Sequence, residues 1–345
     1  MQFIKPDINI NFVGKRTIAF SVSLAMILIS IASLVIHKGP KYGIDFAGGT
    51  LIQVKFDNPV SVKNIKSGLA AINLPSSSVQ GFGEKSEDEY LIRIDRSGVS
   101  SEGFSTKVQD ALKTSTGVKA TVRRVEIVGP KIGKDLRGKA LFAMFYALLF
   151  IAIYISGRFE FKWVLSGVMA GVLMGAVYLL SIFDVSIPFL IVTALVVTLV
   201  LFWVLGLKYA MGAIVALIHD VTITVGMFSL FNKEFTLPVI AALLTIIGYS
   251  LNDTIIVFDR IRENLRKYQK SSLDVIINRS VNETLSRTLL TSGTTLVVVV
   301  ALFVLGGGII HDFAFAMLVG IIVGTYSSIY VASPILLAWR TYGKK

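Results

Sequence analysis

The chain has no cysteine and only three histidines among its 345 residues. Without cysteine there are no disulfides and no thiolate chemistry, so any exported part must fold without covalent staples. Nowhere do His, Asp and Glu recur at metal-ligand spacing, and there is neither a nucleophile elbow nor a phosphate-binding loop. No catalytic residue, metal or cofactor is therefore expected, and the chain is read as a non-enzyme. Charge is scarce too: 16% of residues are charged, against about a quarter in soluble domains. In its place stands hydrophobicity, with 54% apolar residues and a mean hydropathy of +0.72. The net charge of +12 would suit a nucleic-acid binder. Its placement along the chain is instead that of a membrane protein's orientation signal, so no nucleic acid is expected.

Runs of about 20 apolar residues have the length of a membrane-crossing helix. Eight are read, at 16–37, 139–157, 163–183, 187–207, 209–230, 236–258, 285–306 and 313–338. The fold class is a polytopic α-helical membrane protein with about eight transmembrane helices. Lys5, Lys15 and Arg16 precede the first span, and its exit, "HKGPKYG", has no small-x-small cleavage site, so it is read as an uncleaved anchor. With residues 1–15 placed in the cytoplasm, that side collects Arg158, Lys162, Lys208 and the basic 259–284 loop. The loop carries Arg260, Arg262, Arg266, Lys267, Lys270 and Arg279, and the 339–345 tail adds Arg340, Lys344 and Lys345. The other side has only "DVS" (184–186), "NKEF" (232–235) and "GGGIIHD" (306–312) between spans. This asymmetry puts both termini in the cytoplasm. The 259–284 segment is predicted to begin as a helix with a basic face near anionic headgroups, which makes membrane lipids a partner.

Residues 38–138 form a polar insertion on the outer side. "TLIQVKF" (50–56), "SSVQGFG" (77–83), "EYLIRID" (89–95) and "KATVRRVEIV" (119–128) read as strands. "SVKNIKSGLAAINL" (61–74) opens on a Ser cap with Ile65, Leu69 and Ile72 at helical spacing. "SSEGFSTKVQDALKTS" (100–115) puts Phe104, Val108 and Leu112 on one stripe. Strand–helix–strand–strand–helix–strand is the α+β ferredoxin-like order.

An ionisable side chain at the bilayer centre costs about 2.5–3.5 kcal/mol on insertion scales. His219 and Asp220 fall near the middle of 209–230, Asn252 and Asp253 just inside the end of 236–258, and Arg287 heads a stripe with Thr291, Thr294 and Thr295. Bland roles exist for each. Arg287 could snorkel, Asp253 could be its fixed partner, Asp220 could accept from hydroxyls of a neighbouring helix, and His219 could simply be packed. Acids and a base on separate spans are also what a proton path needs. A carboxylate in low dielectric resists ionisation and a nearby arginine favours it, so a pair that meets and parts takes up and releases a proton.

Six segments together resemble the SecF family: "YGIDFAGGT" (42–50), "VGPKIGKDLRGKAL" (128–141), "ALIHD" (216–220), "GYSLNDTIIVFDRIRENLR" (248–266), "ETLSRTLLTSGTT" (283–295) and "VGIIVGTYSSIYVASPILL" (319–337). The resemblance spans nearly the whole chain. It implies the smaller subunit of a SecD–SecF complex of the resistance-nodulation-division superfamily, in a cytoplasmic (inner) membrane. There the proton-motive force would help pull or release an unfolded preprotein. It implies a SecD-like partner, the SecYEG translocon and YajC-like or YidC-like subunits. The family's intramembrane acid falls on Asp253 and its essential arginine on Arg287, the second acid of the relay lying in SecD. With Asp220 these are the expected relay residues, supported by Asn252, His219 and Thr291. Gly43, Asp45, Gly48 and Gly49 carry the family motif of the outer domain. A small-molecule efflux transporter of the same superfamily is the alternative, and a scaffold that only stabilises the translocon is a third reading.

The resemblance implies six spans, so the surplus falls on 158–208. "FDVSIPFLIVTALV" (183–196) is similar to "FNKEFTLPVIAALL" (231–244), the mark of a local duplication. The copy has no counterpart of Asp220 and is not expected to carry protons. Gly167, Gly171 and Gly175 lie four apart, which permits close helix contact, either within this chain or with a SecD-like or further subunit.

Overall fold

The structure is a computed structural model that describes residues 8–74, 77–82, 88–94, 103–183 and 185–342. Lys5, Asp95, Ser100, Asp184, Lys344 and Lys345, used in the sequence reading, lie outside the described residues.

Eight helices are long and apolar enough to cross a membrane. The first is α1 (Arg16–Ile36). A short α2 (Ile44–Ala47) leads into strand β1 (Gly49–Phe56). The sheet domain continues with α3 (Val62–Ala71), β2 (Ser78–Phe82), β3 (Glu89–Ile94), α4 (Phe104–Thr116) and β4 (Ala120–Val128). Then come α5 (Pro130–Glu160), α6 (Trp163–Ser181), α7 (Ile187–Leu205), α8 (Lys208–Leu230), α9 (Leu237–Lys267) and α10 (Leu273–Leu305). The last span is α11 (Gly308–Ser327), a π-helical turn at Ser328–Ala332, and α12 (Ser333–Tyr342).

The sheet runs β2-β3-β1-β4 with every neighbouring pair antiparallel, which is the ferredoxin-like arrangement. β1 alternates, and Ile52, Val54 and Phe56 are its buried set. They meet Ile65 and Leu69 of α3, Val108 and Leu112 of α4, and Ile92 of β3 in one core. Ser61 caps α3 by accepting the Asn64 N–H.

Three helices run further than their apolar stretches. α5 starts at Pro130, where a proline's missing N–H costs nothing. α9 and α10 continue to Lys267 and back to Leu273, so 259–284 is two helical extensions joined by residues 268–272 rather than a loop. Hydropathy ends where lipid ends, but a helix continues wherever its side chains find partners. Asn264 donates to Ser280 at 3.0 Å and to Glu283 at 2.8 Å, and Arg279 pairs with Glu283 at 2.9 Å.

Of the long helices, α8 and the α11–α12 span are the most enclosed, followed by α9. α1 packs on α8, and α10 on α9 and α11. α6 and α7 stand at the edge against α5, with α7 reaching α8. A Cβ built on Gly167, Gly171 or Gly175 would meet nothing within 4 Å, so the glycine stripe makes no close helix contact within the described residues.

Candidate functional site

The polar site forms where α8, α9 and α11 cross closely. A Cβ on Gly324 would lie 2.8 Å from the Cβ of Ser250, and one on Gly212 would lie 2.9 Å from the Ala332 carbonyl oxygen. Small residues here let backbones approach, so short hydroxyl side chains span from one helix to the next.

Asp220 of α8 is wholly buried at this crossing. Its Oδ2 accepts from Ser250 Oγ of α9 at 2.5 Å and from Ser327 Oγ of α11 at 2.8 Å, and its Oδ1 lies 2.9 Å from His219 Nδ1. The His219 ring stacks on Tyr326, whose hydroxyl donates to the Ala19 carbonyl of α1 at 2.6 Å. Directly below Tyr326 and Ser327 the helix widens into its π turn. Pro334 brings no N–H to the ladder there, and Ser333 Oγ donates to the Ser328 carbonyl at 2.8 Å.

Asp253 sits one turn beyond Ser250 on α9 and is 1% exposed. Its Oδ2 accepts from Ser292 Oγ of α10 at 3.3 Å, and Ser292 in turn shares a 2.7 Å hydrogen bond with Thr325 of α11. The other carboxylate oxygen, Oδ1, is buried without a hydrogen-bond partner among the described residues, as is Thr288 Oγ1. Thr325 and Ser327 are two residues apart, so one short stretch of α11 connects the surroundings of both acids.

Arg287 is not the direct partner expected from the sequence. It is exposed on α10 and makes no ion pair with Asp253 within 4.0 Å, although it is near enough to act on that carboxylate electrostatically. Asn252 is exposed as well, and Thr291 is half-buried with its hydroxyl donated to the Arg287 carbonyl at 2.9 Å. The predicted polar stripe of α10 therefore lies at the edge of the buried face: Arg287 and Thr294 are exposed, Thr291 and Thr295 are half-buried, and Thr295 Oγ1 accepts from the Tyr249 hydroxyl of α9 at 3.3 Å. The buried stripe lies one residue along, at Ser280, Thr284, Thr288 and Ser292, a rotation of about 100°. Its i, i+4 repeat of small hydroxyl residues is present in the sequence but carries no charge to distinguish it from other serines and threonines. Ser250, Thr325 and Ser327 are equally unmarked in the sequence.

The "YGIDFAGGT" motif ends in β1 with Gly49 and the buried Thr50, but its residues 42–48 lie outside the sheet domain's apolar core. Phe46 packs with Phe228, Phe235 and Val239 at the ends of the membrane helices. Gly48 and Gly49 have φ of +77° and +127°, values only glycine adopts without strain. A Cβ on Gly48 would meet the backbone of Pro130 at 2.8 Å.

The described residues hold no group of three His, Asp or Glu able to bind a metal. What the site offers is a buried, incompletely satisfied carboxylate, a cation nearby, and hydroxyls between helices. These are the parts needed to hold and exchange a proton.

The family described as "Protein export membrane protein SecD/SecF, C-terminal" matches residues 107–196 and again 182–342, and the "SecD/SecF GG Motif" matches 33–60. A protein translocase subunit SecF of Magnetococcus marinus is 43% identical over 341 residues, covering 98% of this chain and 94% of its own. The chain belongs to the SecF family. Family relatives include one from Vibrio alginolyticus, 41% identical over 97% of this chain and 91% of its own, and one from Calditerrivibrio nitroreducens, 38% identical over 100% and 99%. The crystal structure of SecDF from Thermus thermophilus, a translocon-associated membrane protein, superposes with a TM-score of 0.75 at 34% identity. It covers 98% of this chain, which spans 40% of the length of that SecDF chain. The two matches to the C-terminal family overlap at 182–196, inside the edge pair α6–α7.

Proposed function

We propose that this chain is a SecF subunit that works beside a SecD-like partner in Sec-dependent protein translocation, and that it draws on the proton-motive force through Asp253. The observation that carries the second part is the state of that carboxylate: buried, bonded through one oxygen only, with Arg287 close by but unpaired with it. Arg287 and Asn252 open onto the outside of the chain, where lipid would leave them unsatisfied. A polar face on a SecD-like partner satisfies them and supplies the second acid of the relay. Asp220, held by His219, Ser250 and Ser327, then couples the protonation state to the packing of α8 against α9 and α11. The basic ends of the spans support a reading with both termini in the cytoplasm of a cytoplasmic (inner) membrane. The sheet domain is thereby on the far side, where an unfolded preprotein emerges from a SecYEG translocon. YajC-like or YidC-like subunits and the edge pair 158–208 belong to the same assembly.

The test is translocation of a preprotein in cells or inverted vesicles, with and without a protonophore. Asp253→Asn and Arg287→Ala are each expected to abolish protonophore-sensitive stimulation at normal protein levels, and the double variant is expected to stay inactive. For a structural ion pair, removing both charges is better tolerated than removing one. Recovery in the double variant would therefore reject the relay. Unchanged drug sensitivity alongside lost export separates this function from small-molecule efflux.

A further inference from the structure

The sheet domain is joined covalently to the membrane helices at two places, through residues 37–43 after α1 and through Gly129 before α5. Neither α1 nor α5 carries Asp220 or Asp253. The helix that carries Asp253 reaches the sheet domain by another route. Residues 41–43 pair with the loop before α9: Tyr42 and Phe235 form a parallel β-bridge, the Gly43 N–H donates to the Phe235 carbonyl at 2.7 Å, and the Phe235 N–H donates to the Lys41 carbonyl at 2.7 Å. Gly43 is needed for this approach, because a Cβ there would lie 3.0 Å from the Phe235 carbonyl oxygen.

Asp45 completes the joint. α9 begins at Leu237 with Thr236 as its cap residue, and the Thr236 side chain makes no capping bond. The exposed Leu237 N–H is taken up by Asp45 Oδ2 at 2.8 Å, from 192 residues away. The carboxylate also sits at the positive end of the helix dipole. Around it, Arg93 of β3 donates to the Tyr42 carbonyl at 2.8 Å and meets Glu234 at 3.2 Å, and Lys41 meets Glu234 at 3.4 Å. From Asp45 the chain passes through Gly48 and Gly49 directly into β1, a central strand of the sheet. In the other direction α9 runs sixteen residues to Asp253, about 24 Å of uninterrupted helix.

We propose that Asp45 is a positioning residue: it latches the glycine-rich segment onto the first turn of α9, so that displacement of α9 at Asp253 is delivered to the sheet domain. The latch stays closed through the cycle, and the motif is a transmission rather than a part of the sheet domain's own core. This rests on the reading of Asp253 as the group that moves α9, and the test separates the two.

The experiment uses the full chain co-expressed with its SecD-like partner, scored by preprotein translocation. Asp45→Ala is expected to reduce stimulation at least fivefold, towards the level without the subunit, while Asp45→Asn, which keeps an acceptor oxygen, retains most of it. Because the chain has no cysteine, Lys41→Cys with Glu234→Cys offers a covalent substitute for the latch. Oxidation of that pair is expected to restore export to Asp45→Ala and to leave the otherwise unaltered chain active, and reductant is expected to reverse the rescue. Normal export by Asp45→Ala overturns the proposal. So does a disulfide that fails to rescue, or one that blocks the unaltered chain, since either means the joint must open. If Asp45→Ala does not accumulate, the disulfide in the unaltered chain decides alone. Asp253→Asn, measured in parallel, is expected to be inactive with or without the disulfide. Normal export by that variant would remove the proton reading while the Asp45 rescue still reports on the latch.

Discussion

Asp220 and Asp253 are both buried acids on spanning helices, yet their surroundings set them apart. Among the described residues, Asp220 has partners on both oxygens from three side chains, whereas Asp253 has one 3.3 Å bond and an oxygen with none. A buried acceptor that loses a donor keeps its desolvation penalty, typically about 1–3 kcal/mol. Ser327→Ala and Ser250→Ala are therefore each expected to destabilise the detergent-solubilised protein by about that much, read as a lower midpoint of heat-induced aggregation. Ser292→Ala, which removes a longer bond, should lower the midpoint less. Equal losses for all three would show that the two carboxylates are held alike. The positions of both acids were legible in the sequence because charge in an apolar run is conspicuous. Their hydroxyl partners were not, since serine and threonine are tolerated on any face of a membrane helix by bonding to their own backbone, as Thr291, Thr294 and Thr295 do here.

For the helices, backbone distance decides what the side chains can do. Gly320 and Gly324 of α11 lie one turn apart against Ile246 and Ser250 of α9. Gly324→Val is expected to push α11 away and break the Ser250 and Ser327 bonds to Asp220 together. The loss in thermal midpoint should then exceed that of either serine variant alone; a neutral result would mean that α11 can shift without cost. Gly167, Gly171 and Gly175 on α6 are the contrast, open on the structure's surface. Gly171→Ala is expected to be neutral or stabilising in the isolated subunit by up to about 1 kcal/mol, since alanine is the better helix former. A drop in the midpoint would place that face in contact within the chain. The sheet domain was the most readable element, because period-2 strands and an amphipathic pair of helices specify their own inward faces. Ile52, Val54, Ile65, Leu69, Val108 and Leu112 are all buried.

Taken whole, the molecule is a bundle of spanning helices with a sheet domain at one end, tied to the bundle by the 41–49 segment as well as by the chain itself. The orientation of this assembly rests on where Lys and Arg fall. Since the chain has no cysteine, single cysteines report on it directly. Those at Ser186 and Gly307 are expected to react with an impermeant reagent added outside intact cells, and one at Ser271 is not. Protection at Ser186 with reaction at Gly307 would mean that α6 and α7 do not both cross.

The sequence by itself determined the class, the eight spans, the ferredoxin-like order of the inserted domain and the positions of the buried acids. Each of these follows from local hydrophobic period or from the cost of burying charge, and both can be read along one strand of text. Tertiary structure alone decided that Arg287 turns outward while Thr288 turns in, and that Thr325 and Ser327 link the surroundings of the two acids. It also decided that Asp45 caps a helix 192 residues away. Those outcomes depend on helix rotation and on which helices cross closely. A rotation of about 100° per residue exchanges one face for the next, and close crossing is settled only when all the packed faces are satisfied together.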